Sequence, residues 1–296
     1  GQLNENLQSI MTDIFTHGNS FGLPERKRPE WTKDLPFVIP DARDSKVQYL
    51  WYVGDLPSYD PRNQKIAIAL AHIFHEAGIS YGILYESEKN DGNDVRRIGE
   101  EGLYEMLAEE NIELFNQCDF ETIVCTDPHS YNTIKNEYPQ FGFEVDVCHY
   151  TSMLEDLVNS GKLTIPPSLD YSVTYHDPCH LGRYNHEYES PRELIKKTGC
   201  VLHEMPRNRK SSFCCGGGGG GLWMDFSDTK KPSEERLREA LEDTQEAVEK
   251  FVVSCPQCMV MYEDGRKTGG FEDQIEIIDV AELIAEAILT SNLTKA

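Results

Sequence analysis

Five cysteines in the C-terminal half fall into one pattern: Cys179, the adjacent pair Cys214-Cys215 followed by Gly216, and Cys255-Pro256-Gln257-Cys258. Thirty-four residues separate Cys179 from Cys214, and 39 separate Cys215 from Cys255. A vicinal pair plus a CxxC can bring several thiolates to one point. Thiolates that converge in a reducing compartment usually hold metal, most often zinc or iron–sulfur. A closed zinc site takes four ligands, commonly as two close pairs. Five donors, two of them adjacent in the chain, are awkward on one tetrahedral ion and suit a centre of several irons better. The spacing favours iron–sulfur and leaves zinc open.

The neighbours of these cysteines fit a cofactor site. Six glycines, Gly216 to Gly221, follow the pair. Without side chains their backbone can approach a bound group and aim N–H donors at it, and Gly216, Gly217 and Gly218 are the candidates for that contact. A phosphate loop would need Lys-Ser/Thr after the glycines, but Leu222-Trp223-Met224 follows. Cys179 sits in His176-Asp177-Pro178-Cys179-His180-Leu181-Gly182-Arg183. His176 and His180 are read first as residues packed behind the ligands, with ligation and proton relay as alternatives. Arg183 is suited equally to offsetting charge at the site, to meeting an anionic partner and to a salt bridge. His180 and Arg183 are the candidates for a catalytic role. Of the remaining cysteines, Cys125 and Cys148 lie in apolar, strand-like runs and read as small core residues.

The elements that must position these groups alternate along the chain. Strands are expected at 47–53, 81–85, 122–126, 173–175, 201–205, 251–254 and 275–278. Helices are expected at 61–77, 94–116, 152–160, 191–198, 234–250 and 279–289. Alternation of this kind predicts α/β construction with parallel sheets and right-handed crossovers. The two halves also share a rhythm. Asp55, then Asn90-Asp91-Gly92, then Asp127-Pro128-His129-Ser130 echo the cysteine landmarks, again with 34 residues between the first and second. The expectation is two pseudo-symmetric Rossmann-like units. An N-terminal arm spans 1–46, a degenerate repeat spans 47–165, and the cysteine-bearing repeat spans 171–290. Oxygen and amide donors replace thiolates poorly toward iron or zinc, so the first repeat is expected to carry no cluster. A polar, hydrogen-bonded remnant is favoured there over a hard-cation site.

Bulk composition narrows the partners. A net charge of −23, from 28 basic and 51 acidic residues, repels nucleic acid and anionic lipid surfaces. No run of about 18 apolar residues occurs, so no transmembrane segment is expected in this stretch. An odd count of nine cysteines, five in one pattern, points to a reducing cytoplasm rather than to a secreted disulfide framework.

The segments HDPCHLGRYN, SFCCGGGGGGLWM and VVSCPQCMVMYED closely resemble the cysteine-rich CCG domains of heterodisulfide reductase-like iron–sulfur proteins. The resemblance covers roughly 47–290 as a tandem CCG repeat. It implies that Cys179, Cys214, Cys215, Cys255 and Cys258 ligate one noncubane 4Fe-4S cluster. The remnant SYDPRNQ, EKNDGNDVRRIGEEGL and TDPHSYNTIKNEYP look like the electron-transfer-flavoprotein-linked branch of membrane-associated iron–sulfur (menaquinone) reductases. That branch implies an oxidoreductase module taking electrons from a flavoprotein toward a quinone pool. Its partner would be a membrane quinone-reducing protein or an upstream ferredoxin or haem module. The module would then lie in the cytoplasm, at the inner face of the membrane through a partner or a missing N-terminal region. The opening residues resemble the stretch after a ferredoxin module, so the chain is expected to be a C-terminal fragment or a dissected part of a larger protein. Heterodisulfide-type thiol–disulfide reduction and a zinc-stabilised, non-enzymatic scaffold are the alternatives.

Overall fold

The computed structural model describes residues 4–225, 230–244 and 247–295. Its two sheets have four strands each. The first contains β1 (Tyr49–Tyr52), β2 (Tyr81–Gly82), β3 (Thr122–Cys125) and β4 (Asp146–His149), in the order β2-β1-β3-β4. The second contains β5 (Ser172–Tyr175), β6 (Val201–Leu202), β7 (Lys250–Val253) and β8 (Glu276–Asp279), in the order β6-β5-β7-β8. Every strand pair is parallel. The two sheets therefore share one topology, and the expected α/β fold with tandem repeats is borne out.

Among the described residues, twelve α-helices surround the strands. They are α1 (Glu5–His17), α2 (Asp55–Tyr59), α3 (Pro61–Glu76), α4 (Asn93–Arg97), α5 (Glu101–Phe115), α6 (Pro128–Asn136), α7 (Tyr150–Asn159), α8 (Cys179–Asn185), α9 (Glu189–Lys197), α10 (Pro232–Glu242), α11 (Pro256–Thr268) and α12 (Val280–Lys295). The chain divides into two compact units. One comprises Gly1–Ala71, Ile79–His149 and Gly217–Asp225; the other comprises His72–Gly78, Tyr150–Gly216 and Phe226–Ala296. Membership does not follow chain order: α7 belongs with the second sheet, and the glycine run from Gly217 belongs with the first.

Both sheets are covered on their two faces, so their central strands carry consecutive buried residues rather than an alternation. Leu50, Trp51, Ile123 and Val124 are buried in the first unit; Val173, Phe251, Val252 and Val253 are buried in the second. In each sheet the first strand connects outward to one edge and the third to the other. The carboxyl ends of β1 and β3, and of β5 and β7, thus form topological switch points, where open α/β sheets place ligands.

Several boundaries differ from expectation. The helix expected over 94–116 is broken into α4 and α5 at Gly99, whose φ of +96° cannot continue a helix. The stretch read as an irregular arm holds α1, capped by Asn4 accepting the Asn6 N–H and ended by Gly18 at φ +66°. The helix expected at 234–250 is α10; residues 245–246 lie outside the described residues, and Lys250 already opens β7. Helices α2, α6, α8 and α11 lie outside the expected elements, as does strand β4, of which only the strand-like run around Cys148 gave a sign. Helices α6 and α11 have proline at their starts, where the missing N–H costs nothing.

Candidate metal centre

In the second unit the two central strands deliver the cysteines to the switch point. Strand β5 runs into His176-Asp177-Pro178, and Cys179 is the first residue of α8. Strand β7 runs into Cys255, which caps α11, so Cys258 falls in that helix's first turn. The pair Cys214-Cys215 arrives on the loop ahead of α10.

The five side chains meet. Sγ of Cys258 lies 3.5 Å from Sγ of Cys215, and Sγ of Cys255 accepts the Cys258 N–H at 3.5 Å and a hydrogen bond from its thiol. Cys214 is hydrogen-bonded to both Cys179 and Cys215, and its sulfur accepts the Gly216 N–H at 3.4 Å. The sulfurs form one contiguous row in the order Cys179, Cys214, Cys215, Cys258, Cys255. All five are free thiols; Cys215, Cys255 and Cys258 are buried, while Cys179 and Cys214 are partly exposed.

The row shares its protons unevenly. Hydrogen bonds from Cys179 and Cys215, helped by the Gly216 N–H, hold the Cys214 thiol far below its ordinary range. Its hydrogen bond to Cys214 pushes the Cys215 thiol up, and bonds to Cys215 and Cys255 push Cys258 up. Cys214 is therefore the first thiolate. A soft, all-sulfur donor set fits a metal cluster, and loading it would release the thiol protons.

A charged scaffold fixes the loops that carry the row. Arg192 grips Asp177 with two hydrogen bonds of 2.6 and 2.8 Å and grips Glu204 with two of 2.6 and 3.0 Å. Asp177 also accepts the Arg209 N–H at 2.6 Å, and its carbonyl accepts the Ser212 hydroxyl at 3.0 Å. The loop ahead of Cys214 is thereby stapled to the residue two before Cys179. Behind the row, the Tyr262 hydroxyl meets Nδ1 of His176 at 3.0 Å. Burial drives the His176 pKa well down and the Tyr262 pKa well up, so both are neutral near pH 7.

The remaining candidates are placed as follows. His180 is buried, has Nδ1 3.3 Å from the Cys179 sulfur and stacks on Tyr184 with ring centroids 4.6 Å apart. Arg183 donates to the Ser212 carbonyl and forms no ion pair among the described residues. Gly216 has φ +89°. Gly217 and Gly218 lie in the first unit, in a turn where Gly217 accepts the Leu222 N–H at 2.8 Å and Gly218 accepts the Gly221 N–H at 3.3 Å. Asp177, Arg192 and Tyr262 escaped the sequence reading. Tyr262, four residues after Cys258 and hence on the same helix face, had a usable signal.

The first unit repeats this geometry in oxygen and nitrogen. Where Cys179 meets Cys214, Asp55 accepts the Asn90 amide at 2.7 Å. Where Cys215 meets Cys258, the Asp91 carboxyl accepts the Ser130 hydroxyl. Where Cys255 caps α11, Asp127 caps α6 by accepting the His129 N–H at 2.7 Å. A cation from the N-terminal segment completes the set. Arg28, 3% exposed, reaches Asp55 at 2.6 Å and Glu88 at 2.9 Å. Glu88 in turn accepts the N–H groups of Val53 at 2.9 Å and Gly54 at 2.8 Å. Burial, aided by the nearby Asp127, pushes the Asp91 carboxyl up to about 7.

Two segments of the chain, residues 57–135 and 173–263, match the family model for the CCG cysteine-rich domain. The chain belongs to that family. Over 99% of its length it is 42% identical to a Bacillus subtilis protein described as a probable iron-sulfur-binding oxidoreductase, FadF, covering 42% of that protein. It is 34% identical over 97% of its length to an EtfAB:quinone oxidoreductase of Syntrophomonas wolfei, again covering 42% of the relative. A component of the dihydromethanophenazine:CoB–CoM heterodisulfide reductase of Methanosarcina acetivorans is 29% identical over 93% of the chain and is covered to 66%. The chain thus spans about two fifths of the first two relatives. The resemblance stated from the sequence is borne out.

Proposed function

We propose that the second repeat holds one 4Fe-4S cluster of noncubane type through Cys179, Cys214, Cys215, Cys255 and Cys258. In this reading the chain is the redox module of an oxidoreductase that takes electrons from a flavoprotein and delivers them toward a quinone. The observation that carries the reading is the contiguous row of five sulfurs at the β5/β7 switch point. When bound, such a cluster supplies reversible electron transfer at a potential set by burial, hydrogen bonds and charge. The chain's own part is to present the thiolates, to donate the Gly216 and Cys258 N–H groups to sulfur, and to bury three of the five ligands from water. The name of one relative, an iron-sulfur-binding oxidoreductase, supports the iron–sulfur chemistry, and that of another, an EtfAB:quinone oxidoreductase, supports the flavoprotein-to-quinone direction. No described helix is long and apolar enough to cross a membrane, so the quinone-side contact is assigned to a membrane partner or to a further part of the protein. The first repeat carries no cluster in this reading, because Arg28 supplies its cation.

Anaerobic purification followed by iron and acid-labile sulfide analysis tests the cluster. Stopped-flow mixing with a reduced electron-transfer flavoprotein tests the direction. Bleaching of a visible charge-transfer band on mixing is expected, and a colourless protein with zinc alone contradicts the reading. Heterodisulfide reduction is kept as a second reading because of the heterodisulfide reductase relative. It requires thiol release from a heterodisulfide in the presence of a reduced dye.

A further inference from the structure

Resting on that iron–sulfur reading, we propose that Arg236 is the buried cation that compensates the charge of the loaded cysteine site and thereby sets its reduction potential. Arg236 is 0% exposed. Its Nη1 lies 2.8 Å from a Glu239 oxygen as an ion pair, and none of Nε, Nη1 and Nη2 makes a well-aligned hydrogen bond among the described residues. Glu239 is already shared. Its carboxylate also accepts the Arg207 N–H at 2.9 Å and Arg207 Nε at 2.8 Å. Glu239 thus serves two guanidinium groups, and Glu235 serves Arg207 at 3.8 Å and Arg238 at 3.4 Å, so three guanidinium groups share two carboxylates and the cluster of charges sums to +1. A buried guanidinium with open donors and half a counter-ion is costly unless another negative charge is to be placed nearby.

The cysteine row is where that charge would be. Helix α10 begins against the turn that carries it: a Cβ on Gly216 would stand 3.1 Å from Pro232 Cγ, and Pro232 is the first residue of α10. Ser233, fully buried with its hydroxyl unpartnered among the described residues, and Arg236 follow on one face of the helix. Helix α10 packs against α11, which carries Cys258 and Tyr262, and the Tyr262 hydroxyl meets His176 at 3.0 Å. Five thiolates leave the loaded site anionic. Two backbone N–H donors to sulfur offset only part of that charge, and the start of α10 adds the positive end of its dipole. A fixed cation at this position favours the reduced, more negative state of whatever the thiolates hold, and so raises its potential.

The test is redox titration by EPR of the anaerobically purified chain, with iron and sulfide measured in every sample. Arg236→Gln keeps a hydrogen-bonding group and removes the charge; its midpoint should move negative by at least a tenfold change in the reduction equilibrium, about 59 mV for one electron. Arg236→Lys should stay near the wild type. Glu239→Gln removes the counter-ion and should move the midpoint in the positive direction. A purely structural role would lower iron occupancy in both neutral variants without moving the midpoint in opposite directions. An Arg236→Gln midpoint equal to the wild type, or a Glu239→Gln midpoint that stays or moves negative, overturns the proposal. If Arg236→Gln yields no folded protein, the sign of the Glu239→Gln shift decides alone. A wild type without iron and sulfide overturns the iron–sulfur reading and this proposal with it, whereas a loaded wild type with unmoved variants overturns only the role of Arg236.

Discussion

Each side chain in the cysteine row has a distinct job, and that makes single substitutions informative. Cys258 joins Cys255 to the rest of the row through Cys215. Cys258→Ser replaces a soft donor by a hard one. Iron per chain should fall at least severalfold, measured after anaerobic purification, while far-UV circular dichroism stays unchanged. In the other repeat, Asp91 gives a pH signature. Folded, it ionises near 7; unfolded, such a carboxyl ionises near 3.9. Between these values the folded chain holds the extra proton, so this group's contribution to stability falls as pH rises through the window. Asp91→Asn keeps an acceptor for the Asn93 N–H and abolishes that loss. Relative to wild type, it should gain roughly 1 kcal/mol or more at pH 8 over its standing at pH 5, read from urea unfolding midpoints. The cysteine row was legible in the sequence because five thiols recur at a spacing that brings them to one point. Arg28, Asp177 and Arg192 were not, since a charged residue in sequence reads as solvated surface and only tertiary placement buries it.

At the scale of elements, function depends on strands that stop at the switch point and helices that start there. The strand–helix rhythm was readable from apolar runs, and so was the repeat, because its landmarks recur at matched spacing. Helix α11 was hidden, since it opens on the CPQC segment, whose cysteines read as candidate ligands while Cys255 also caps the helix. Helix α6, the corresponding element of the first unit, was hidden in the same way by its polar start, DPHS. Turn glycines are the sensitive points. Gly216 combines φ +89° with the close approach of Pro232. Gly216→Ala should cost roughly 1–3 kcal/mol of backbone strain and lower iron occupancy. Gly102→Ala is the control: it lies in α5 with no atom within 4 Å of a new Cβ, and iron content should not change. Metal analysis of the two variants side by side separates these outcomes.

Across the whole chain, one fold has been written twice with different donors, sulfur in one copy and oxygen with an arginine in the other. The Arg28 ion pairs are buried on both sides, with side-chain exposures of 4% for Arg28, 7% for Asp55 and 2% for Glu88. Removing one partner of such a network strands the others. Arg28→Ala should cost about 3–5 kcal/mol in thermal or urea unfolding, without lowering iron binding by any chain that remains folded. The net charge of −23 gave a guide to excluded partners but none to these internal pairs, which are invisible to a sum. The division of α7 and the glycine run between the units was equally unreadable, because it follows from packing between distant segments rather than from local pattern. The central claim is that the sulfur row holds iron and sulfide. It is tested most directly by iron, zinc and acid-labile sulfide analysis of the anaerobically purified chain, together with a variant carrying serine at Cys214, Cys215 and Cys258. About four irons with matching sulfide in the wild type, and none in the variant, is the predicted result. One zinc per chain without sulfide, or equal iron in both proteins, would contradict it.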